Sequence, residues 1–220
     1  MQLTPERRRS TRSTRTAGEA TKQRLLSAAE DLFSVYGYEG TSTRSIAVRA
    51  GVGQPLLSYH FHNKDGLWRA AVGSLFDDFS GLLADRIHGL RGVDDETVLK
   101  LIIREFIAFS AGHPQLHRIM IHECAVDGER VDWLVEHHVR PIFEMTIGYI
   151  DRLIGTGVLP QLPAAHIYYI IVGAGPTLFA LAPECSRLTG IDPVSNETVE
   201  AHIDAVLSLL FRVPHVPAQR

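Results

Sequence analysis

The sequence predicts an all-α fold of about nine helices. Along most of the 220 residues, apolar side chains recur at the i, i+3 and i+4 spacing of amphipathic helices, and no useful stretch alternates as strands do. Hydrophobic residues form 45% of the chain and charged residues 21%, a composition that excludes wholesale disorder. The longest apolar stretch, residues 167–182, is broken by two glycines and Pro176, so we expect no membrane-spanning helix.

Charge is divided unevenly along the chain. Residues 1–69 contain 11 Lys and Arg against 6 Asp and Glu, whereas residues 70–220 contain 11 against 19. A basic first third and an acidic remainder indicate that the first third meets a polyanion. The chain has two cysteines, and no apolar segment follows the N-terminal arginines. We therefore expect neither a disulfide framework nor a secretion signal, but a soluble cytoplasmic protein.

The N-terminal residues predict an arm followed by a helix. Residues 1–18 are polar and rich in Arg, Ser and Thr, so we expect a disordered basic arm, of the kind that can follow phosphates or enter a minor groove. A helical period starts at Glu19, and Gly37 suits the left-handed turn that ends a helix. The predicted apolar stripe of this helix consists of Leu25, Ala29, Leu32, Phe33 and Tyr36.

Two short helices and a glycine-containing turn follow. Residues 42–50 begin with hydroxyl side chains suited to helix capping, and residues 51–53 form a tight turn. Pro55 lies in the first turn of a helix over residues 54–61, where its missing N–H costs nothing. Two helices joined in this way predict a helix-turn-helix, whose second helix enters the major groove of DNA. The predicted three-helix DNA-binding domain spans residues 19–69.

The remaining residues, 70–220, predict a second helical domain. Asn63 can cap a helix that runs from residue 64 towards residue 90, and Pro141 predicts a kink in a later helix. The predicted helices span residues 64–90, 95–111, 114–125, 132–154, 164–182 and 199–211. The segment 164–182 is apolar nearly all round, which is typical of a buried helix.

Residues 20–70 carry a set of short motifs in a defined order and spacing. These are Leu25-Leu26-Ser27-Ala28-Ala29, Leu32-Phe33, Gly37-Tyr38-Glu39-Gly40-Thr41-Ser42-Thr43, Ile46-Ala47, Ala50-Gly51-Val52, Gln54-Pro55, Tyr59-His60-Phe61 and Lys64-Asp65-Gly66-Leu67. By these motifs the segment resembles the DNA-binding domain of TetR-family transcriptional regulators. The resemblance implies a homodimer whose variable C-terminal domain binds a small molecule and thereby loosens its grip on an operator. Beyond residue 70, the chain is similar to the family only in length and helical content.

The predicted DNA contacts lie mainly at the N-terminal ends of the two short helices. Ser42 and Thr43 offer hydroxyls and free backbone N–H groups to a phosphate, and the resemblance implies that Arg44 contacts a base. Gln54 stands where a recognition helix meets base edges, and glutamine can pair with adenine. The predicted set is Ser42, Thr43, Arg44, Gly53, Gln54, Pro55, Leu56, Ser58, Tyr59, His60 and Lys64.

Lys64 and Ser58 are unusual members of this set. Lys64 stands in the first turn of a helix, where a cation opposes the macrodipole at a cost of about 0.3–1 kcal/mol. A docked phosphate reverses this sign, so Lys64 is predicted to bind one unless it points into water. Ser58 stands where the family usually has an aromatic residue. Because a serine reaches less far, we expect the operator sequence to differ accordingly.

The second domain is predicted to hold a dimer interface and a ligand pocket. Gly173 and Ala174 allow helices to approach closely, and the last two helices offer more apolar surface than one intramolecular pair needs, an internal core being the alternative. The predicted interface residues are Gly173, Ala174, Ile203, Val206, Leu207 and Leu210. The resemblance implies a pocket, although plain core packing also explains its candidate aromatic residues. These candidates are Phe106, Phe109, Met120, Trp133, Phe143, Tyr149 and Tyr168.

The histidines and the motif search predict neither a metal site nor an enzyme. His113 and His117 are four residues apart, but Pro114 draws His113 off the helix and His122 falls on a different face. Glycine-rich phosphate loops, serine elbows and His-Glu-x-x-His are missing, and no cofactor is predicted. We therefore predict a DNA-binding repressor that a small, largely apolar ligand releases. Two alternatives stay open: an effector-independent DNA-binding dimer, and a helical enzyme on the same scaffold.

Overall fold

The chain folds into helices that follow one another closely along the sequence. The computed structural model describes residues 6–90 and 92–211, with side chains from residue 18 onward. No strand occurs in these residues, and the all-α prediction is confirmed. The helices are α1 (Glu6–Gly40), α2 (Thr43–Ala50), α3 (Gln54–Phe61), α4 (Lys64–His88), α5 (Asp95–Gly112), α6 (Pro114–Cys124), α7 (Glu129–Leu134), α8 (Arg140–Gly155), α9 (Ala164–Ala180), α10 (Ala182–Thr189) and α11 (Asn196–Leu210).

The chain divides into two compact units. The N-terminal unit comprises the residues up to Leu75 together with Arg118–Ala125. The C-terminal unit comprises Phe76–His117 and the residues from Val126 onward. This division differs from the predicted boundary near residue 69, because the boundary falls inside α4, where a continuous helix leaves no linker in the sequence to mark it.

Helix α1 is longer than the sequence predicts. Its backbone is helical from Glu6, which corrects the prediction of a disordered arm over residues 1–18 for the part that is described. No proline lies between Glu6 and Gly37, and a packed helix gains one hydrogen bond for each residue it adds, so polar residues can extend it. Residues 1–5 and the side chains of the predicted DNA-contacting arginines lie outside the described part. These arginines are Arg7, Arg8, Arg9, Arg12 and Arg15.

Gly37 breaks α1 where the sequence predicts its end. The backbone there is non-helical, with φ 66° and ψ 179°, which glycine adopts readily. The predicted stripe is buried at Leu25, Ala29 and Phe33, but Tyr36 is 61% exposed and does not belong to it. The buried positions suffice to anchor α1 in the N-terminal unit.

The core of the N-terminal unit is built around Trp68 and Phe33, which are both almost fully buried. The ring of Tyr38 stacks on Phe33, with centroids 5.9 Å apart, and meets Trp68 edge-on at 6.3 Å. Ile46 of α2 and Leu57 of α3 are buried in the same unit. These anchors hold α2 and α3 from inside and leave their other faces to solvent.

The core of the C-terminal unit joins four helices. Buried side chains from α5, α8, α9 and α11, with Leu159 from the connection between α8 and α9, form one cluster: Leu99, Ile103, Ile107, Ile150, Leu153, Leu159, Ile167, Ile171, Phe179, Ile203, Val206 and Leu210. A second cluster links α4 and α5 through Phe79, Leu83, Val98, Ile102 and Phe109. Helices α9 and α11 therefore bury one apolar face each within the subunit.

This core corrects the predicted dimer interface. Ile203, Val206 and Leu210 are buried inside the subunit, and Leu207 and Ala174 pack partly buried against the same cluster. The helical period identifies the face of α11 that is buried, but the subunit's own α5 and α9 cover that face before a second chain can. Gly173 alone among the predicted interface residues is exposed.

Residues 132–154, predicted as one kinked helix, form three segments. Helix α7 ends at Leu134, residues Val135–Val139 are π-helical, and α8 begins at Arg140. Pro141 cannot donate a hydrogen bond to the carbonyl four residues earlier and crowds that carbonyl, which belongs to His137 in the π-helical segment. Where the sequence predicts a kink, the structure has a wider helical turn.

Residues 164–182, predicted as one helix, also divide. Helix α9 ends at Ala180 and α10 begins at Ala182, with a bend of 72° between them. Pro183 stands in the first turn of α10, where a proline starts a new helix more readily than it continues an old one. In the part of the chain that is described, no single helix is long and apolar enough to cross a membrane, and α9 and α10 reach that composition only as a bent pair.

Candidate nucleic-acid interface

Helix α2 begins with the capping arrangement that the sequence predicts. The backbone N–H of Ser45 donates to Ser42 Oγ at 3.0 Å, and Ser45 Oγ accepts from the Ser42 amide at 3.2 Å. This reciprocal pair fixes the first turn. The first backbone N–H groups of a helix have no partner inside it, so the start of α2 presents donors and the positive end of the helix dipole. Such an end can receive a phosphate.

The two arginines of α2 differ in whether they form an ion pair within the chain. Arg49 donates to the carboxylate of Asp31 at 2.8 Å, an exposed pair worth about 0–1 kcal/mol that links α2 to α1. Arg44 is exposed and forms no ion pair within the described residues. The C-terminus of α2 closes on Gly51, whose φ of 65° is the left-handed conformation of a helix cap. Arg44 is thus the charged side chain of α2 that remains available to a ligand.

Helix α3 buries one side and exposes the other. Leu57 and Phe61, four residues apart, are buried in the N-terminal unit. Tyr59 is 76% exposed. The remaining outward residues of α3, all exposed, are Gln54, Pro55, Leu56 and Ser58. Every α3 residue that the sequence predicts to face DNA is therefore at the surface, apart from the partly buried His60.

The N-termini of α2 and α3 lie next to each other. Gln54 Nε2 is 3.4 Å from Thr43 Oγ1, at the long end of a hydrogen bond. Eleven residues separate these side chains in the sequence, and the turn at Gly51–Gly53 brings them together. Gly53 is the exposed N-cap of α3 and has no side chain to cap the helix. The structure thus places the predicted base-reading glutamine beside the predicted phosphate-binding end of α2.

Lys64 has a partner that the sequence does not reveal. Its Nζ lies 4.1 Å from the centre of the Tyr38 ring, a cation–π contact worth about 0.5–1 kcal/mol at an exposed site. From the sequence, Lys64 is expected either to bind a phosphate or to point into water. In the structure it lies over the ring of Tyr38, which also packs on Phe33. Tyr38 therefore holds the ammonium group in place at the start of α4.

The junction between α3 and α4 is unusually tight. The amide of Asn63 donates to the carbonyl of Phe61 at 2.8 Å across His62, whose φ of 66° and ψ of −55° are those of a γ-turn. Asn63 Oδ1 then accepts from the amide of Gly66 at 2.7 Å and caps α4, as the sequence predicts. A Cβ at Gly66 would lie closer than 3.0 Å to the Phe61 carbonyl oxygen, so glycine is required there. The sequence predicts no role for His62, and Gly66 enters the prediction only as part of the family motif at residues 64–67.

This helix-turn-helix lies within a segment that has a family signature. Residues 25–71 match the family model described as bacterial regulatory proteins, tetR family. This segment therefore carries the DNA-binding domain of the TetR family. The matched segment runs from the middle of α1 to the first two turns of α4, and so includes the entire exposed face of α3 and the tight junction after it.

Similarity to individual transcriptional regulators extends further along the chain. The probable HTH-type transcriptional regulator YttP of Bacillus subtilis (strain 168) is 26% identical over 135 residues, which are 61% of this chain and 63% of YttP. The HTH-type transcriptional regulator RutR of Escherichia coli (strain K12) is 24% identical over 192 residues, 84% of this chain and 87% of RutR. The crystal structure of AibR in complex with isovaleryl coenzyme A and operator DNA shares the fold, with a TM-score of 0.70, 19% identity and coverage of 87% of this chain and 98% of AibR.

The C-terminal unit does not gather all the predicted pocket residues. Phe106 and Tyr149 pack against both apolar clusters of the unit, and Phe109 is buried in one of them. Met120 belongs to the N-terminal unit, because α6 is divided between the two units after His117. Met120 therefore does not lie with the other six predicted pocket residues, which all belong to the C-terminal unit.

The rings of Phe143 and Tyr168 form a pair on α8 and α9. They meet edge-on with centroids 4.9 Å apart, and burial raises the pKa of Tyr168 to about 12. The Tyr168 hydroxyl therefore keeps its proton throughout the neutral range and remains a hydrogen-bond donor.

Trp133 belongs to a separate aromatic group around the π-helical segment. It stacks with His137, with centroids 5.3 Å apart, and meets His138 edge-on at 4.9 Å. The ring of His138 also stacks on Phe76 of α4 at 5.0 Å, and its Nε2 is buried without a hydrogen-bond partner in the described structure. Burial lowers the pKa of His138, while the nearby Asp77 carboxylate acts in the opposite direction. His138 is therefore a neutral, unsatisfied polar group of the kind a ligand can satisfy.

The histidines around α6 do not assemble a metal site. Within the part of the chain that the structure describes, no three His, Cys, Asp or Glu residues lie close enough together to hold an ion. His113 Nδ1 is 3.1 Å from the Phe109 carbonyl, and burial lowers the pKa of His117. In the C-terminal unit, His113 therefore contacts the backbone of α5 and His117 is partly buried.

Proposed function

We propose that this TetR-family regulator acts as a repressor that binds a palindromic operator in duplex DNA through α3. The exposed face of α3 carries this proposal, because Leu57 and Phe61 anchor the helix while Gln54 and Tyr59 face outward. An α-helix with its side chains is about 10–12 Å across, and a major groove about 12 Å wide admits it. The basic N-terminal third of the chain supplies the matching charge.

The proposed contacts divide into base reading and backbone positioning. Gln54 and Arg44 read base edges, because both are exposed and carry side chains that can form paired hydrogen bonds with bases. Pro55 and Leu56 offer apolar contact to a thymine methyl. The backbone contacts come from Ser42, Thr43, Tyr59, His60 and Lys64. Ser58 reaches less far than its neighbours, and Gly53 lets the DNA approach the turn closely.

A homodimer would present two copies of α3 to the two halves of the operator. The outer faces of α9 and α11, opposite those buried in the subunit, expose Tyr169 and Leu209, each 68% exposed, together with Ile170 and Gly173. Apolar side chains and small residues on two neighbouring helices suit a symmetric four-helix interface. Such a dimer sets its recognition helices about 34–36 Å apart, one turn of the duplex.

The proposed signal is a small molecule that binds the C-terminal unit and releases the DNA. Support comes from the AibR structure, which shares this fold and holds isovaleryl coenzyme A with operator DNA. Ligand binding would favour the conformation with low affinity for the operator, by no more than the difference in ligand affinity between the two conformations. We propose that the protein works in the cytoplasm and without catalysis; the relatives it is similar to are named as transcriptional regulators.

The test is selection of bound duplexes from a random pool by the purified protein, followed by titration of the winning duplex with isovaleryl coenzyme A. We expect a palindromic winner whose affinity falls steeply with salt. Binding of no duplex at low ionic strength would contradict the proposal. Duplex binding that isovaleryl coenzyme A does not weaken would instead favour an effector-independent DNA-binding dimer.

A further inference from the structure

His62 is held in a backbone conformation that histidine disfavours. In the described part of the chain it is the one residue other than glycine with a positive φ, 66°. The γ-turn around it is closed by the Asn63 amide, which donates to the Phe61 carbonyl at 2.8 Å. A side chain in this region crowds the backbone, and a glycine at the same position would not.

No contact of the His62 side chain within the described structure offsets this strain. It is exposed, and within the described structure its ring makes no hydrogen bond, ion pair or aromatic contact. The neighbouring side chains are engaged: Asn63 caps α4, Lys64 lies over Tyr38, and Phe61 is buried. Strain that no internal contact compensates points to a role outside the chain.

The position of His62 suggests what that role is. It follows the last residue of α3 directly, two residues before Lys64. If the N-terminal residues of α3 enter a major groove, the turn after its C-terminus comes out beside the sugar–phosphate backbone at the edge of that groove. An imidazole can donate a hydrogen bond to a phosphate and can carry a positive charge near neutral pH.

We infer that His62 binds a phosphate of the duplex backbone, and that the strained γ-turn exists to aim its imidazole there. The inference rests on the proposed function and adds a contact to it. A phosphate contact carries no sequence information, so His62 strengthens binding to every duplex equally. It also makes binding more sensitive to salt, by about 0.9 in the logarithmic salt slope for each contact, or about 1.8 for a dimer.

The experiment compares three variants with the wild-type protein at pH 6. His62→Gly removes the ring and the strain together. His62→Lys keeps a cation and a Cβ at the same position. His88→Ala removes an exposed histidine at the other end of α4 and serves as the control. Each protein is titrated by fluorescence anisotropy against the selected operator and an unrelated duplex at several salt concentrations, and its thermal midpoint is measured.

We expect His62→Gly to unfold at the same temperature as the wild type or a few degrees higher. The same variant should bind both duplexes about three- to tenfold more weakly and with a smaller salt slope. His62→Lys should restore affinity and slope, and His88→Ala should change neither. A lower thermal midpoint in His62→Gly, unchanged affinity in that variant, or weakened binding that His62→Lys does not restore would each overturn the inference. If the wild-type protein binds no duplex, the proposed function fails as well; if it binds and His62→Gly binds equally, only this inference fails.

Discussion

Replacing Gly66 with alanine should destabilise the chain, although alanine favours helices. At an open position inside a helix this substitution gains about 0.8–1 kcal/mol. At Gly66 the new Cβ would lie closer than 3.0 Å to the Phe61 carbonyl oxygen, a backbone atom that also accepts the Asn63 amide. Forcing such an overlap costs about 1–3 kcal/mol, and weakening that hydrogen bond adds about 0.5–1.5 kcal/mol. We expect a net loss of about 1–3 kcal/mol in the free energy of unfolding.

The control for this substitution lies in the same helix. A Cβ at Gly81 meets nothing within 4 Å, so Gly81→Ala should stabilise the chain by up to about 1 kcal/mol. Urea unfolding of both variants gives the two free energies. Anisotropy titration should show weaker operator binding for Gly66→Ala, because α4 can relieve the overlap only by shifting away from α3, and unchanged binding for Gly81→Ala. Equal stability of Gly66→Ala and the wild type would refute the tight junction between α3 and α4.

Three other substitutions probe the remaining parts of the account. Lys64→Ala should weaken binding to all duplexes alike and reduce the salt slope in an anisotropy titration; a loss confined to the operator would contradict a phosphate contact. Because burial lowers the pKa of His138, the unfolded chain binds a proton at higher pH than the folded chain, and stability falls as pH drops below about 6.5. His138→Phe should therefore lose less stability between pH 7 and pH 5 in urea unfolding, and an unchanged pH dependence would show that His138 is not responsible. Leu209→Asp should yield monomers by light scattering, and an intact dimer would exclude the outer face of α11 as its interface.

The sequence predicts the N-terminal unit well because its signals are local. The caps at Ser42 and Asn63 and the break at Gly37 each depend on residues within one helical turn. The start of α3 with Pro55 in its first turn is likewise a local signal, and the structure confirms it. Local chemistry of this kind can be recognised before the tertiary structure is known.

Contacts between distant residues could not be predicted in this way. Lys64 meets Tyr38 across 26 residues of sequence, and nothing in the local pattern of either residue indicates that contact. The helical period of α11 identifies Ile203 and Val206 as buried, but it does not say whether the same chain or a second one covers them. The division of α4 between the two units is hidden for the same reason, since a continuous helix carries no boundary signal.

The strain at His62 is a third kind of feature. Positive φ at a residue other than glycine runs against its local preference, so sequence reasoning assigns such a residue an ordinary conformation. The length of α1 is a milder example, because a polar composition predicts disorder whereas an attached helix can extend through it. Local propensity alone therefore predicts neither the backbone at His62 nor the start of α1.

The central claim is that the exposed face of α3 reads base edges in a duplex. The most direct measurement is to repeat the selection from a random duplex pool with Gln54→Ala beside the wild-type protein. We expect the variant to lose its preference at one symmetric pair of operator positions, by about 1–3 kcal/mol per contact, while its affinity for unrelated duplexes stays the same. An unchanged preferred sequence would contradict the claim that Gln54 faces the bases.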